Sequence, residues 1–301
     1  MQDKIHGTTV FFASLSLFLA GATIFVTWKL LSEPATSIPQ AGGSSVKLGL
    51  PINISGDTRQ FTASSAVLLN STNNQIMFEQ RGFDRRPIAS ITKLMTAMVA
   101  LDHGIDWDAP ANIAPEEYVQ GGQLILHPGE EVTMRDLFNA SLLGSANNAT
   151  LAYVRQLDIP KEEFVKRMNR KAIELGLEQT EFSDVTGLDL GNLSTAYEVA
   201  VMATTAFTKY PEISQATSQH EYSFTVIGSG REHTIRNTNK LISDNKEEVL
   251  GSKTGYLYEA QYCLVMQGAG ELANRVAVIL GNPSEQSHFA ETDRLLHLVV
   301  P

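Results

Sequence analysis

Cysteine is nearly absent from this chain of 301 residues, and positive charge is scarce. The single cysteine, Cys263, excludes an internal disulfide framework and a cysteine-based zinc cluster. Lysine and arginine number 23 against 33 aspartates and glutamates, so the formal net charge is −10. Because phosphate neutralisation needs clustered Lys and Arg, nucleic acid is not expected as a partner. At 43% hydrophobic and 19% charged residues, the composition is that of a folded protein.

Charge is also missing from one long stretch near the N-terminus. The 21 residues from 8 to 28 carry no charged side chain. As a helix they would extend about 31 Å, close to the thickness of the hydrocarbon core of a bilayer. We therefore expect residues 1–31 to form an uncleaved membrane anchor, although a secretory signal cut near Ala22 is the alternative. Residues 32–58 are predicted to be a flexible linker, and residues 59–301 a single folded domain.

The hydrophobic pattern of this domain changes its period along the chain. Two short apolar runs at 66–69 and 75–78 flank a polar turn and predict a β-hairpin. Helical patterns follow at 90–101, 133–143, 146–156, 160–175 and 195–207. Strand patterns come next at 222–226, 249–256, 262–267 and 276–280, before a closing helix at 284–298. We therefore predict an α+β fold, in which an antiparallel sheet built from both chain ends carries flanking helices and an inserted helical region.

A Ser-x-x-Lys motif begins the first of these helical patterns. The motif alone is weak, because it occurs three times, at 44–47, 90–93 and 243–246. An isolated match is more often an N-cap serine followed by a surface lysine. After Ser90, however, the apolar positions leave almost no polar face, so the helix and Lys93 should be buried. Burial favours an uncharged amine, and residues three apart share a helix face, so Lys93 could activate the hydroxyl of Ser90 as a nucleophile.

Two further motifs follow in the order Ser-x-Asn and Lys-Thr-Gly. Ser145 and Asn147 follow a glycine at a helix start, where ordinary capping is the alternative to a catalytic role. In the catalytic hypothesis Ser145 relays a proton between Lys93 and a leaving group, and Asn147 hydrogen-bonds the catalytic side chains and a substrate amide. The sequence does not decide between these readings.

The Lys-Thr-Gly motif lies in a predicted strand that Gly251 and Gly255 weaken. Such glycines are tolerated where a ligand or another backbone approaches closely. Lys253 and Thr254 could then bind a carboxylate. The backbone N–H of Tyr256, together with that of Ser90, could form an oxyanion hole. A strand with an exposed lysine is the alternative.

Together the three motifs resemble those of low-molecular-mass penicillin-binding proteins, the D-alanyl-D-alanine carboxypeptidases and related D,D-endopeptidases. The likeness extends over about residues 66–296 and includes the stretches at 86–101, 184–188, 237–241 and 251–264. It implies a β-lactamase- or penicillin-binding transpeptidase-like catalytic domain at 59–301. It also implies that Ser90 attacks the bond between two D-alanines of a peptidoglycan stem peptide, with Lys93 as the base, and that water hydrolyses the acyl-enzyme.

The resemblance assigns roles to eight residues. Catalytic residues would be Ser90, Lys93, Ser145, Asn147 and Lys253, and substrate-binding residues Thr254, Gly255 and Tyr256. β-Lactams would inhibit by acylating Ser90 with slow release, and no metal or organic cofactor is implied. The substrate places the catalytic domain outside the plasma membrane, with the N-terminal helix in the lipid bilayer. The sequence indicates no particular oligomeric state.

Three positions depart from the family's pattern. Asn148 stands where Asp is frequent, Gln261 stands where Gly commonly follows Ala, and His288 lies near the position of an Arg that begins the last helix. The last two changes bear on how a terminal carboxylate is held, so a peptidoglycan D,D-endopeptidase is the main alternative.

Two other functions are less favoured. A class A-like β-lactamase would need a Glu with Asn four positions on, and no Glu between Asn147 and Lys253 has one. A non-catalytic β-lactam or peptidoglycan sensor is disfavoured because all five catalytic side chains are present.

Overall fold

The computed structural model of the protein describes residues 61–243 and 249–299. The predicted anchor at 1–31 and linker at 32–58 lie outside the described residues, so both stay predictions. No helix within 61–243 and 249–299 is long and apolar enough to cross a bilayer.

The described chain forms a five-stranded antiparallel sheet and a separate two-stranded ribbon. The strands of five or more residues are β1 (Ser65–Asn70), β2 (Gln75–Gln80), β3 (Glu221–Thr225), β4 (Glu232–Arg236), β5 (Val249–Leu257), β6 (Gln261–Gly268) and β7 (Arg275–Asn282). In the large sheet the order is β2-β1-β7-β6-β5, so the first two strands pair with the last three, and β5 is an edge strand. The sheet built from both chain ends is thereby confirmed.

Helices cover both faces of this sheet. They are α1 (Thr92–His103), α2 (Met134–Leu142), α3 (Asn147–Gln156), α4 (Lys161–Glu174), α5 (Ala196–Lys209), α6 (Pro211–Ser218), α7 (Lys240–Ser243) and α8 (Glu285–Leu296). Side chains alternate along β1, so Val67 and Leu69 face the core shared with α1 to α6, and Ala66 and Leu68 face α8. The sheet therefore separates a large helical region from a single closing helix.

Local sequence signals explain where several helices begin and end. Thr133 caps α2, because its Oγ1 accepts a hydrogen bond from Asp136 N and its own N–H donates to the Asp136 carboxylate. Thr195 likewise caps α5 by accepting from Glu198 N. The carboxylate of Glu198 accepts instead from the backbone N–H of Gln179, so the cap at Thr195 is not reciprocal. α1 ends where Gly104 adopts a φ of +96°.

Two features differ from the sequence-based expectation. The strand predicted at 222–226 is present as β3, but it pairs with β4 in the separate ribbon and not in the large sheet. β4 and α6 were not predicted. Along β4, exposed polar residues alternate with half-buried ones, so the strand contains no apolar run. α6 follows α5 with only Tyr210 between them. The ribbon lies over the helical region, where Tyr222 donates a hydrogen bond to Asp136 at 2.7 Å.

Candidate active site

The three sequence motifs meet at the edge strand β5, where the sheet adjoins the helical region. A cavity of about 810 Å³ opens there. Its lining includes Ser90, Ser145, Asn147, Thr254, Gly255 and Tyr256. Lys93 and Lys253 lie beneath this surface and are almost completely buried. The fold therefore brings together all eight residues singled out by the sequence, although their separate roles stay predictions.

Ser90 lies in a short 3-10 turn (Ala89–Ile91) that leads into α1, and this turn is tightly enclosed. Ala89 has a φ of +48°, a conformation that costs free energy in a residue with a Cβ atom. Two glycines make room for the turn. A Cβ atom at Gly187 would collide with the carbonyl oxygen of Ala89, and one at Gly255 would lie 3.2 Å from Ser90 N. Ser90 is thus held by backbone that approaches from two sides.

Lys93 is completely buried, one helical turn after Ser90. Its Nζ lies 2.8 Å from Ser90 Oγ, 2.7 Å from Asn147 Oδ1 and 2.7 Å from the carbonyl oxygen of Thr186. Burial lowers the pKa of Lys93 from 10.5 to about 7, although the nearby carboxylate of Asp184 raises it. A large fraction of Lys93 is therefore uncharged at neutral pH.

The partners of Lys93 also fix the direction of its lone pair. The carbonyl of Thr186 can only accept hydrogen bonds. The amide of Asn147 is oriented by its own Nδ2, which donates to the carbonyl of Gln120 at 2.8 Å, so Oδ1 faces Lys93. An uncharged amine has two N–H groups, and these two acceptors use both of them. The lone pair is then left facing Ser90 Oγ, which is the arrangement required of a base that accepts the serine proton.

A second serine–lysine pair lies opposite the first. Lys253 Nζ lies 2.8 Å from Ser145 Oγ and donates to the carbonyl of Thr254 at 3.0 Å. The pKa of Lys253 is held well below its ordinary value, mainly by burial and further by the charge of Lys93. Ser145 has a φ of +56°, so both serines are in or next to strained backbone. Because like charges repel, a state in which both buried lysines are positively charged is disfavoured, so the protonation of one lysine depends on that of the other.

Sequence reasoning missed the turn that supplies the third partner of Lys93. The carboxylate of Asp184 accepts hydrogen bonds from Thr186 N at 3.1 Å, Gly187 N at 2.7 Å and Asn192 Nδ2 at 2.7 Å. These bonds fix the Thr186 carbonyl toward Lys93. The Asp-x-Thr-Gly run at 184–187 is a pattern typical of such turns, and it could have indicated one.

The side chain of Thr254 projects from β5 toward a second threonine. Thr254 Oγ1 lies 2.6 Å from Thr238 Oγ1, in the segment between β4 and α7. The two hydroxyls form a polar end to the cleft that the Lys-Thr-Gly motif alone did not indicate. Tyr256 follows two residues later on the same face of β5, and about half of its surface is exposed.

The three departures from the family pattern occupy different surroundings. Asn148 is buried, and its side-chain amide bonds the backbone of Leu124. Its Oδ1 accepts from Leu124 N at 2.9 Å, and its Nδ2 donates to the carbonyl of Leu124 at 2.8 Å. Gln261 adopts a φ of +58°, the left-handed conformation that favours glycine. His288 is buried and stacks against Tyr262, and burial lowers its pKa. Two of these three residues, Gln261 and His288, are placed near the start of β6, close to Tyr256.

The sheet topology, the inserted helices and the paired serines and lysines define a penicillin-binding transpeptidase-like α+β domain. The chain belongs to the D-alanyl-D-alanine carboxypeptidase family, whose model matches residues 53–284. The family resemblance drawn from the motifs is thereby confirmed.

Individual relatives agree with this assignment. The chain is 34% identical to D-alanyl-D-alanine carboxypeptidase DacF of Bacillus subtilis, over 78% of this chain and 61% of that protein. It is 30% identical to a D-alanyl-D-alanine endopeptidase of Pseudomonas aeruginosa, over 92% of this chain and 86% of that protein. The crystal structure of the Streptomyces K15 DD-transpeptidase superposes with a TM-score of 0.74 at 25% identity, over 81% of this chain and 98% of that chain.

Proposed function

We propose that the protein is a serine D-Ala-D-Ala carboxypeptidase that trims peptidoglycan stem peptides and is inhibited by β-lactams. The observation that carries the proposal is the contact between Ser90 and Lys93. A buried lysine, whose two N–H groups are held by Asn147 and Thr186, presents its lone pair to a serine hydroxyl. Membership of the D-alanyl-D-alanine carboxypeptidase family supports the choice of substrate.

The first half of the reaction forms an acyl-enzyme. Lys93 accepts the proton of Ser90, and Ser90 Oγ attacks the carbonyl carbon between the two D-alanines. The carbonyl oxygen gains negative charge, which the backbone N–H groups of Ser90 and Tyr256 stabilise in an oxyanion hole. The close approach of Gly255 to Ser90 N supports this pairing of the two segments.

The second half releases both products. Lys93 passes the proton it took from Ser90 through the hydroxyl of Ser145, which Lys253 contacts, to the departing amine, so the C–N bond breaks, D-alanine leaves and Lys93 is uncharged again. Water then attacks the ester on Ser90 while Lys93 accepts a proton from it and returns that proton to Ser90 Oγ, and the shortened peptide leaves as a carboxylic acid that ionises in water. Thr254 and Lys253 hold the terminal carboxylate of the substrate during the first half.

The proposal includes a place in the cell. The uncharged stretch at 8–28 would be a single-pass membrane helix, and the catalytic domain would lie on the extracytoplasmic side, where peptidoglycan is found. Protease treatment of intact spheroplasts should remove the catalytic domain from the cells. Protection of the domain until the membrane is broken would contradict this orientation.

A peptidoglycan D,D-endopeptidase is the second candidate function, and two observations favour it. The relative from Pseudomonas aeruginosa, which aligns over 92% of this chain, is named an endopeptidase. His288 is a buried histidine whose pKa is lowered, so it brings no fixed positive charge to the cleft. Cleavage of cross-linked stem-peptide dimers without release of D-alanine from pentapeptide would favour this candidate over the carboxypeptidase.

The proposal is tested by intact-mass measurement and peptide mapping after exposure to a β-lactam, beside an assay of D-alanine release. We expect one adduct, confined to the peptide that contains Ser90, and loss of both adduct and D-alanine release in Ser90→Ala. Ser71→Ala, which alters a serine in the β1–β2 turn, is the matched control and should behave as wild type. An adduct that persists in Ser90→Ala, or maps to another peptide, would overturn the proposal.

A further inference from the structure

Charge is distributed unevenly along the cleft. Besides Thr238 and Thr254, the lining of the cleft includes one lysine, Lys240, and two acids, Glu259 and Glu285. Lys240 Nζ forms an ion pair with Glu285 at 2.6 Å, and 62% of its side chain and 52% of that of Glu285 are exposed. The ammonium therefore lies at the mouth of the cleft and already has a carboxylate partner from the same chain.

The position of Lys240 follows from the threonine pair. Thr238 contacts Thr254 through its hydroxyl, and Lys240 is two residues further along the same segment, at the first residue of α7. Its ammonium lies 5.8 Å from the centre of the Phe289 ring, on α8. Thr238, Thr254 and Lys240 consequently line the same cavity.

A second basic side chain that lines the cleft, His288 of α8, is disfavoured as a cation. His288 is buried, and its Nδ1 lies 2.5 Å from the carbonyl oxygen of Glu285. Since a carbonyl only accepts, Nδ1 carries the proton of the ring. Burial lowers the pKa of His288 below its ordinary value, which disfavours the charged ring. Among the described residues that line the cleft, Lys240 is thus the exposed cation.

We propose that Lys240 binds the C-terminal carboxylate of the substrate, and that Glu285 occupies its ammonium in the free protein and is displaced when substrate binds. The inference rests on the proposed function for its substrate, a peptide with a free carboxylate. Glu285 acts as an internal competitor: it offers the same carboxylate group to the same ammonium. Only the molecules in which the pair is open can bind, so the apparent affinity equals the intrinsic affinity multiplied by the open fraction.

The pair is suited to such an exchange. An ion pair that is half exposed to water contributes little to folding stability, so opening it costs little. A substrate carboxylate gains a hydroxyl donor from the threonine pair, because one hydroxyl can donate to it while accepting from the other, and Glu285 accepts from Lys240 instead. Charge-assisted hydrogen bonds of this kind are stronger than neutral ones.

The first test compares one stem peptide that ends in D-Ala-D-Ala carboxylate with the same peptide as a carboxamide. In Lys240→Gln, kcat/KM for the carboxylate peptide should fall about tenfold more than kcat/KM for the carboxamide peptide. In Glu285→Gln, kcat/KM for the carboxylate peptide should rise about threefold through a lower KM, because the internal competitor is gone. Lys209→Gln and Glu271→Gln, at exposed positions outside the cleft, are the matched controls and should behave as wild type.

The second test does not depend on D-alanine release. A β-lactam with a free carboxylate and its methyl ester are compared for the rate of Ser90 acylation, followed by mass. Lys240→Gln should slow acylation by the acid about tenfold more than acylation by the ester. Equal losses for acid and ester, no loss for either, or slower acylation by the acid in Glu285→Gln would overturn the inference. If wild type releases no D-alanine while the difference between acid and ester depends on Lys240, the proposed function fails and the carboxylate role of Lys240 stands.

Discussion

The cleft contains lysines in two contrasting settings. Its inner part, made by Ser90, Lys93, Ser145, Asn147 and Lys253, is buried or half-buried and joined by hydrogen bonds of 2.7–2.8 Å. Its outer part, made by Lys240 and Glu285, is an exposed ion pair. The same side chain therefore has opposite uses. Burial lowers the pKa of both inner lysines and disfavours their charged form, whereas exposure leaves the outer lysine in contact with water and a charged partner.

The difference lies in the surroundings and not in the residue type. Around Lys93, two fixed acceptors and the turn built on Asp184 allow one arrangement of the amine. Around Lys240, water competes for the ammonium, and one acid partner can be exchanged for another. Chemistry needs the fixed geometry of the inner part, and substrate selection can use the adaptable outer part.

The largest expected effect comes from removing the amine of Lys93. Lys93→Ala should slow β-lactam acylation of Ser90 about 10³-fold, because general-base assistance is lost. Acylation is followed by intact mass, and circular dichroism checks that the variant is folded. Lys166→Ala, at an exposed position of α4, is the control. Acylation of Lys93→Ala at the wild-type rate would remove the distinction between the inner and outer parts.

A smaller effect should follow from moving the edge strand away from the nucleophile. In Gly255→Ala the new Cβ would lie 3.0 Å from the carbonyl oxygen of Ile88 and 3.2 Å from Ser90 N, so β5 must shift by a few tenths of an ångström. Because the oxyanion hole depends on this approach, acylation should slow about tenfold. Gly228 has a φ of +82°, so Gly228→Ala costs some stability through backbone strain, but its Cβ meets nothing within 4 Å and the acylation rate of the folded protein should be unchanged. Equal rates in Gly255→Ala and wild type would show that the inner part tolerates displacement.

The smallest effect concerns the charge nearest to Lys93. The carboxylate of Asp184 raises the pKa of Lys93, but burial is the larger cause and lowers it. Asp184→Asn should therefore move the pH midpoint of acylation to lower pH, by less than about one unit. The measurement is the acylation rate from pH 5 to pH 9 for wild type and variant. A midpoint that moves to higher pH would reverse the assigned effect of Asp184.

The sequence predicted those features that depend on neighbours along the chain. The apolar run after Ser90 predicted a buried helix, and the nine residues from Thr92 to Ala100 are all buried in α1. The hairpin of β1 and β2 followed from two apolar runs around a polar turn, and β5 from the strand pattern at 249–256; both elements are confirmed. Ser90 itself lies in a 3-10 turn before α1, a detail of backbone strain that an apolar pattern does not encode.

The features that escaped prediction depend on residues far apart in the chain. The Thr186 carbonyl contacts an amine 93 residues earlier, and a backbone carbonyl has no sequence signature. Thr238 reaches Thr254 from a segment whose placement depends on the β3–β4 ribbon. The pairing of Lys240 with Glu285 joins two helices whose paired residues are 45 positions apart in the chain. Long-range contacts of this kind follow from the assembled fold, not from local propensity.

The central claim is that an uncharged Lys93 activates Ser90. Its most direct test is the pH dependence of the second-order rate constant for acylation of wild type by one β-lactam. The account predicts a rate that rises with pH, has a midpoint near 7 and then levels off, as the buried amine loses its proton. A rate that is independent of pH between 5 and 9, or that still rises steeply above pH 9 as for an ordinary lysine, would contradict it.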